Sequence, residues 1–184
     1  MTDGARQRMI DGTVTLLAQR GLDGTSFSEV LERTGAPRGS IYHHFPDGKD
    51  QLVAAAVDLA GSRALAALEQ WNGGTPAEIT AGFVGLWRRL LSVSNLSAGC
   101  SVLAVTVATS SPDLLDRSAA AFRSWRLRLA ELFVEGGVSA DAAAGFAATL
   151  VSATEGAVVL SRAERSMEPF ELVAAQLAED ALRL

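Results

Sequence analysis

The sequence predicts an all-α protein of about nine helices, and three observations carry that prediction. Apolar residues recur at helical spacing almost throughout, and no stretch alternates β-branched and polar residues between turn signals. Helix starts and stops are marked by capping residues and by glycine or asparagine.

The first helix, at about 4–20, carries Ile10, Val14 and Leu17 and stops at Gly21. The second, at about 26–34, opens on Ser26-Phe27-Ser28-Glu29, a capping box in which hydroxyl and carboxylate each satisfy a free N–H, and ends at Gly35. A third, at about 38–45, starts behind Pro37, whose fixed φ and missing N–H suit a first turn. The fourth, at about 48–71, follows Asp47, a side-chain acceptor, and stops at Asn72-Gly73-Gly74. Thr75-Pro76-Ala77-Glu78 is a second capping box and starts a helix at about 76–94. After a break at Asn95 to Gly99, a sixth runs over about 99–109, and Ser111-Pro112-Asp113 opens a seventh at about 112–135 that ends at Gly136-Gly137. Ser139 begins an eighth at about 140–163, and a ninth covers about 168–183.

Of 184 residues, 48% are hydrophobic and 20% charged, the balance of a globular chain rather than a disordered one. One cysteine cannot form an internal disulfide, and no basic, apolar and small-residue leader precedes Ile10, so the expected compartment is the cytoplasm. A net charge of −5 gives no general attraction to a polyanion; any recognition of nucleic acid must rest on local placement of charge. From Leu90 to Pro112 no side chain is charged, over a length close to the roughly 20 residues of a membrane span. Its serines, threonines and Asn95 make two buried helices around a turn the expectation, and no membrane partner is expected.

The first three helices hold their own apolar set, Ile10, Val14, Leu17, Phe27, Val30, Leu31, Ile41 and Phe45, which predicts a compact domain over 1–47 and a larger helical body over 48–184. Residues 25–45 combine a capped helix, a short turn at Gly35 and a second helix of two turns, the pattern of a helix-turn-helix. In that second helix Ile41 and Phe45 are four apart and pack inward, leaving Arg38, Gly39, Ser40, Tyr42, His43 and His44 outside. A plain αα-hairpin has no reason to expose a tyrosine and two imidazoles together, whereas a surface that meets phosphates and base edges uses such donors. Lys49, the only lysine, stands in the first turn of a helix, where the dipole disfavours a cation, so something must offset it; a DNA phosphate would. Arg6 and Arg8 are further candidates for phosphate contact.

Thr25-Ser26, Gly35, Gly39-Ser40-Ile41-Tyr42-His43-His44-Phe45 and Lys49-Asp50-Gln51-Leu52 resemble the N-terminal domain of the TetR family of bacterial transcriptional repressors over roughly residues 5–55. The resemblance implies a dimer, a C-terminal ligand-binding domain and release of DNA when a small molecule binds. By position it implies phosphate contacts from Thr25 and Ser26, base contacts from Arg38, Gly39, Ser40 and His43, and backbone contacts from Tyr42, His44 and Lys49. Pro37 departs from the serine or threonine of many members, so that capping and phosphate contact is absent here. Ala98-Gly99-Cys100, Ala120-Ala121-Phe122 and Trp125, with the Gly-Ala-Pro-Arg-Gly-Ser run, are similar to the branch typified by the lincomycin-resistance repressor LmrA.

If the larger body is regulatory, its cavity is expected among the fourth to eighth helices, lined by Phe83, Trp87, Leu90, Cys100, Leu103, Val105, Phe122 and Trp125, with Thr106 or Glu155 as polar anchor. That set favours an uncharged apolar or aromatic effector. One recognition helix covers few base pairs, so DNA recognition predicts a homodimer on a palindromic operator in double-stranded DNA. The eighth and ninth helices are the expected interface, through Phe146, Leu150, Ala153, Ala157 and Leu160. No metal or cofactor is expected: His43 and His44 point about 100° apart on a helix, and neither a phosphate loop nor a nucleophile with its base is present, so an enzyme is not expected. The rival readings are a helical carrier of small molecules or a protein-binding adaptor that no longer binds DNA.

Overall fold

The computed structural model describes residues 3–184, with side chains from Gly4 onward, so the first two residues of the expected 1–47 domain lie outside it. Among the described residues are nine α-helices and no strand: α1 Asp3–Arg20, α2 Phe27–Thr34, α3 Arg38–His44, α4 Lys49–Leu68, α5 Pro76–Val93, α6 Ser101–Ala108, α7 Pro112–Glu135, α8 Ala140–Glu164 and α9 Glu168–Ala181. A 3₁₀ turn, Glu69–Trp71, tightens the end of α4.

The predicted punctuation works residue by residue, with instructive exceptions. Gly35 closes α2 in the left-handed region (φ 64°), its N–H donating to the Leu31 carbonyl at 2.9 Å. Thr75 and Glu78 form both halves of their capping box. At Ser26 only one half forms, because the Glu29 carboxylate pairs with Arg20 instead. Asp47 does not cap α4 with its carboxylate; its backbone N–H donates to the Gln51 side chain at 3.2 Å. The charge-free run 90–112 is broken by Asn95 and Leu96, both at positive φ. Two other stretches, Lys49–Trp71 and Ala140–Glu164, are long and apolar enough to cross a bilayer by length and composition, and 39% and 50% of them are buried inside the protein.

The chain divides into two compact units, cut differently from 1–47 and 48–184. The first holds the described residues up to 63 together with 100–121, so α6 and the start of α7 join the N-terminal helices and the opening turns of α4. Its core comprises Met9, Leu16 and Leu17 of α1, Val30, Ile41, Phe45, Leu52, Val53 and Val57, closed by Val105 of α6 and Leu114 of α7. Ion pairs Arg63–Asp11 (2.6 Å) and Arg117–Asp58 (2.6 Å) tie α4 to α1 and to α7; being exposed, they contribute at most about 1 kcal/mol each.

The second unit holds residues 64–99 and 122–184. Along α8, Phe146, Leu150, Val158 and Ala157 are buried, and the Phe133 and Phe146 rings meet edge to face at 5.2 Å. Ser161, at the far end of α8, is fully buried and accepts the Phe170 N–H at 3.0 Å, seating the start of α9. Arg88 of α5 grips Glu171 of α9 with two bonds of 2.8 and 2.7 Å, which hold that carboxyl below its usual range. Arg128, only 16% exposed, gathers Glu69, Glu131 and Glu135, and its hydrogen bonds depress the Glu69 carboxyl in the same direction.

Trp71 lies flat against α5 where Gly82 has no side chain: a Cβ there would fall inside the indole. Gly82→Ala must displace a large ring from a packed surface and is expected to destabilise the protein by about 1–3 kcal/mol, read by denaturant unfolding. Because the Glu69 and Glu171 carboxyls sit lower when folded than when unfolded, their contribution is fully present above the ordinary carboxylate range and is lost as pH falls through the folded values. Arg128→Met is expected to flatten that acid limb of the stability profile.

Candidate nucleic-acid interface and apolar cavity

Helix α3 has only 7 residues, and its orientation follows from two anchors. Ile41 and Phe45 are both 0% exposed, whereas Tyr42 is 64% exposed and Arg38, Gly39 and His43 are exposed with it. Tyr42 is held by an edge-on contact with Phe27 of α2 at 5.5 Å, a support the sequence pattern did not single out. The His43 and His44 rings meet at 5.2 Å, and His44 is half-buried against Phe45. Ser40 is also half-buried, its N–H donating to the Pro37 carbonyl at 2.9 Å. Pro37 caps α3 without any side-chain bond. Arg6 stacks over the Phe45 ring at 5.4 Å, and Arg8 stands exposed nearby on α1.

Two residues expected at phosphates have other occupations. Thr25 is 1% exposed and its hydroxyl donates to the Gly21 carbonyl at 2.8 Å, so it pins the α1–α2 corner instead of facing outward. Lys49 is half-buried, and its ammonium donates to the Leu22 carbonyl at 2.7 Å. The cation in a helix's first turn is thus offset from within the molecule. Ser26 is half-buried at the start of α2, where its hydroxyl accepts the Glu29 N–H at 3.3 Å and lies 2.9 Å from the Ser28 hydroxyl.

In the second unit a cavity of about 180 Å³ is lined by Ala64, Leu68, Phe83, Leu86, Trp87, Leu90 and Trp125. The expectation placed Phe83, Trp87, Leu90 and Trp125 together, and the structure does so. It leaves out the rest: Cys100 and Leu103 belong to the first unit, where the Cys100 sulfur accepts the Leu103 N–H at 3.3 Å as the cap of α6, and Val105 is spent in that unit's core. Thr106 returns its hydroxyl to Val102 within the same helix. Phe122 supports Trp125 from behind, edge to face at 5.2 Å, and Glu155 is buried on α8 outside the lining. Ala64, Leu68 and Leu86 were missed because single aliphatic residues in an amphipathic helix carry no mark distinguishing cavity wall from core. Every lining side chain is hydrocarbon except for the two indole N–H groups, so the cavity offers a ligand no charge.

A family model described as bacterial regulatory proteins, tetR family, matches residues 9–56, and one described as transcriptional regulator LmrA/YxaF-like, C-terminal domain, matches residues 76–176. The chain belongs to the TetR family. An uncharacterised HTH-type transcriptional regulator of Mycobacterium tuberculosis is 35% identical over 181 residues, 95% of this chain and 92% of that one. The HTH-type transcriptional repressor KstR2 of Rhodococcus jostii is 40% identical over 50 residues, 27% of this chain and 24% of that one. A TetR regulatory protein of Rhodobacter sphaeroides has the same fold, with a TM-score of 0.85 at 22% identity and coverage of 95% and 97%. TetR-family proteins are soluble transcriptional regulators that bind DNA through the helix-turn-helix, and this protein is a regulator of that kind, not an enzyme.

Gly39 faces open space on α3: a Cβ there would meet nothing within 4 Å, so the chain's own packing does not require glycine. Gly39→Ala is accordingly expected to stabilise the protein by about 0.5–1 kcal/mol in thermal unfolding. On the expectation that Gly39 meets base edges, the added methyl should weaken duplex binding in the same preparation. Unchanged DNA affinity would show that the backbone makes no such approach.

Proposed function

We propose that this protein is a ligand-responsive repressor that binds a palindromic operator in double-stranded DNA as a homodimer and releases it when a small, uncharged apolar or aromatic effector enters the cavity. The observation that carries the reading is the division of α3: Ile41 and Phe45 wholly buried, Arg38, Gly39, Tyr42 and His43 turned outward. In this reading Arg38, at the start of the helix, takes guanine by two hydrogen bonds, Gly39 and Ser40 bring the backbone close, and His43 meets a neighbouring base. Ser26, Tyr42 and His44 meet the phosphates that set register. The sign of regulation follows the relative KstR2, a transcriptional repressor. The protein would act in the cytoplasm, where the chromosome is accessible.

Dimerisation is assigned to the outer faces of α8 and α9, with a changed residue set. Phe146 (8% exposed), Leu150 (0%) and Ala157 (1%) are used by the chain's own packing, leaving half-buried Ala153 and 50%-exposed Leu160 from the expected group. Gly145, Thr149, Ser152, Gly156 and Leu160 fall on one stripe of α8, and a Cβ at either glycine would meet nothing within 4 Å. Two mid-helix glycines cost about 1 kcal/mol each without an internal reason, a cost that close approach of a second helix offsets. On α9 the exposed apolar residue is Leu172.

The effector is assigned to the cavity because Ala64 and Leu68 of its wall belong to α4, the helix whose first turn carries Lys49 beside the helix-turn-helix. A ligand that favours one arrangement of that helix changes operator affinity by the usual allosteric coupling of about 1–3 kcal/mol, roughly 5- to 150-fold.

Selection from random duplexes tests the reading directly: it should enrich a pseudo-palindrome, and Arg38→Ala should relax preference at one base per half-site at a cost of about 1–3 kcal/mol. No enriched site would favour a carrier or an adaptor instead. Leu160→Glu is expected to convert the dimer to a folded monomer in sedimentation velocity and to abolish tight operator binding; a persistent dimer would move the interface elsewhere.

A further inference from the structure

Resting on the assignment of α3 as the reading helix, we propose that Lys49 is a positioning residue: it clamps the α1–α2 corner to the first turn of α4 through the Leu22 carbonyl, and supports DNA binding through that clamp rather than by touching a phosphate. The Lys49 ammonium and the Leu22 oxygen are 2.7 Å apart across 27 residues of chain. The same oxygen accepts the Thr25 N–H at 3.2 Å, so both its lone pairs are engaged. Thr25 is fully packed and returns its hydroxyl to Gly21 at 2.8 Å, which leaves the corner from Gly21 to Ser26 no slack of its own. A charged donor makes a shorter and stronger bond than a neutral one, and here it is sheltered by half-burial. The path onward is short. The corner ends at Ser26, the cap of α2; the next residue, Phe27, is the ring against which Tyr42 of α3 stands at 5.5 Å. Where Lys49 sits thus determines where α2 begins, and where α2 begins determines how Tyr42 is presented. At the other side of the joint, Gln51 receives the Asp47 N–H and fixes the α3–α4 turn to the same first turn of α4, so both ends of the helix-turn-helix register on one point.

The test uses the full-length protein with Lys49→Met, which keeps most of the stem and removes donor and charge. In the DNA-free protein, exchange of the Thr25 amide, which shares the Leu22 carbonyl, is expected to accelerate about tenfold or more, as befits a lost charged hydrogen bond. Affinity for the selected duplex should fall about tenfold at every salt concentration, with the slope of log affinity against log salt unchanged, since no phosphate contact is lost. A slope shallower by about 0.9 would overturn the proposal and make Lys49 a phosphate ligand, whatever the exchange shows. Unaltered Thr25 exchange would overturn it as well. The same readings on Lys49→Leu, which likewise has neither donor nor charge, keep the test decisive should Lys49→Met fail to fold. If the wild-type protein selects no duplex, the regulator reading falls while the exchange arm still decides the clamp.

Discussion

A helix of 7 residues has too few internal hydrogen bonds to persist in water, where helices shorter than about 12–15 residues are marginal. The segment Arg38–His44 is helical only because Ile41 and Phe45 are held in the core of the first unit beneath it. That one constraint fixes everything its outer face does. With a period of 3.6, burying positions 41 and 45 leaves 39, 42 and 43 no choice but to face out, so the burial that makes the helix also aims it, while Arg38, one turn before Ile41, is exposed as the first residue of the helix. Stability and recognition are here two faces of one packing decision, and each buried ring or branched chain is worth about 1.5–3 kcal/mol.

How far the chain could be read without coordinates depends on the range over which each signal acts. Caps, glycine stops and the amphipathic division of α3 are local, and residues such as Gly35, Thr75 and Ile41 stand in the structure as the pattern implies. Signals that depend on what lies across space are not legible in the sequence. Thr25 and Lys49 look alike as polar residues near a helix-turn-helix, yet one hydroxyl and one ammonium are committed to carbonyls of the α1–α2 corner. Glu29 abandons its capping box for Arg20, a competitor at the end of another helix. Arg165 ends α8 in the left-handed region where glycine is the usual signal, so that stop had no local mark.

On α8 the difficulty was of another kind. The helix is apolar on most of its circumference, and periodicity alone does not say which apolar stripe meets the chain's own core. Phe146, Leu150 and Ala157 are the large or central positions and went inward, while the stripe that remains is built from Gly145, Thr149, Ser152 and Gly156. Size alone did not sort the two faces: Ala143, Ala147 and Ser161 are buried beside the large residues, while Val159 and Leu160 stay exposed. The cavity wall shows the same limit, since Phe122 and Trp125 are neighbours in an aromatic pair yet only Trp125 reaches the space.

Helix α6 comes from the middle of the sequence, but Val105 at its centre is wholly buried in the core that also holds Met9 and Leu17. The far side of α1, the helix against which the reading helix packs, is therefore covered by a segment some sixty residues downstream of the reading helix. A fragment cut from the N-terminus at the edge of its family-matched region would expose the underside of α1 to water, inviting clumping of the excised piece. Swapping such heads between relatives, an obvious route to hybrid sensors, would need the α6 segment to travel with them.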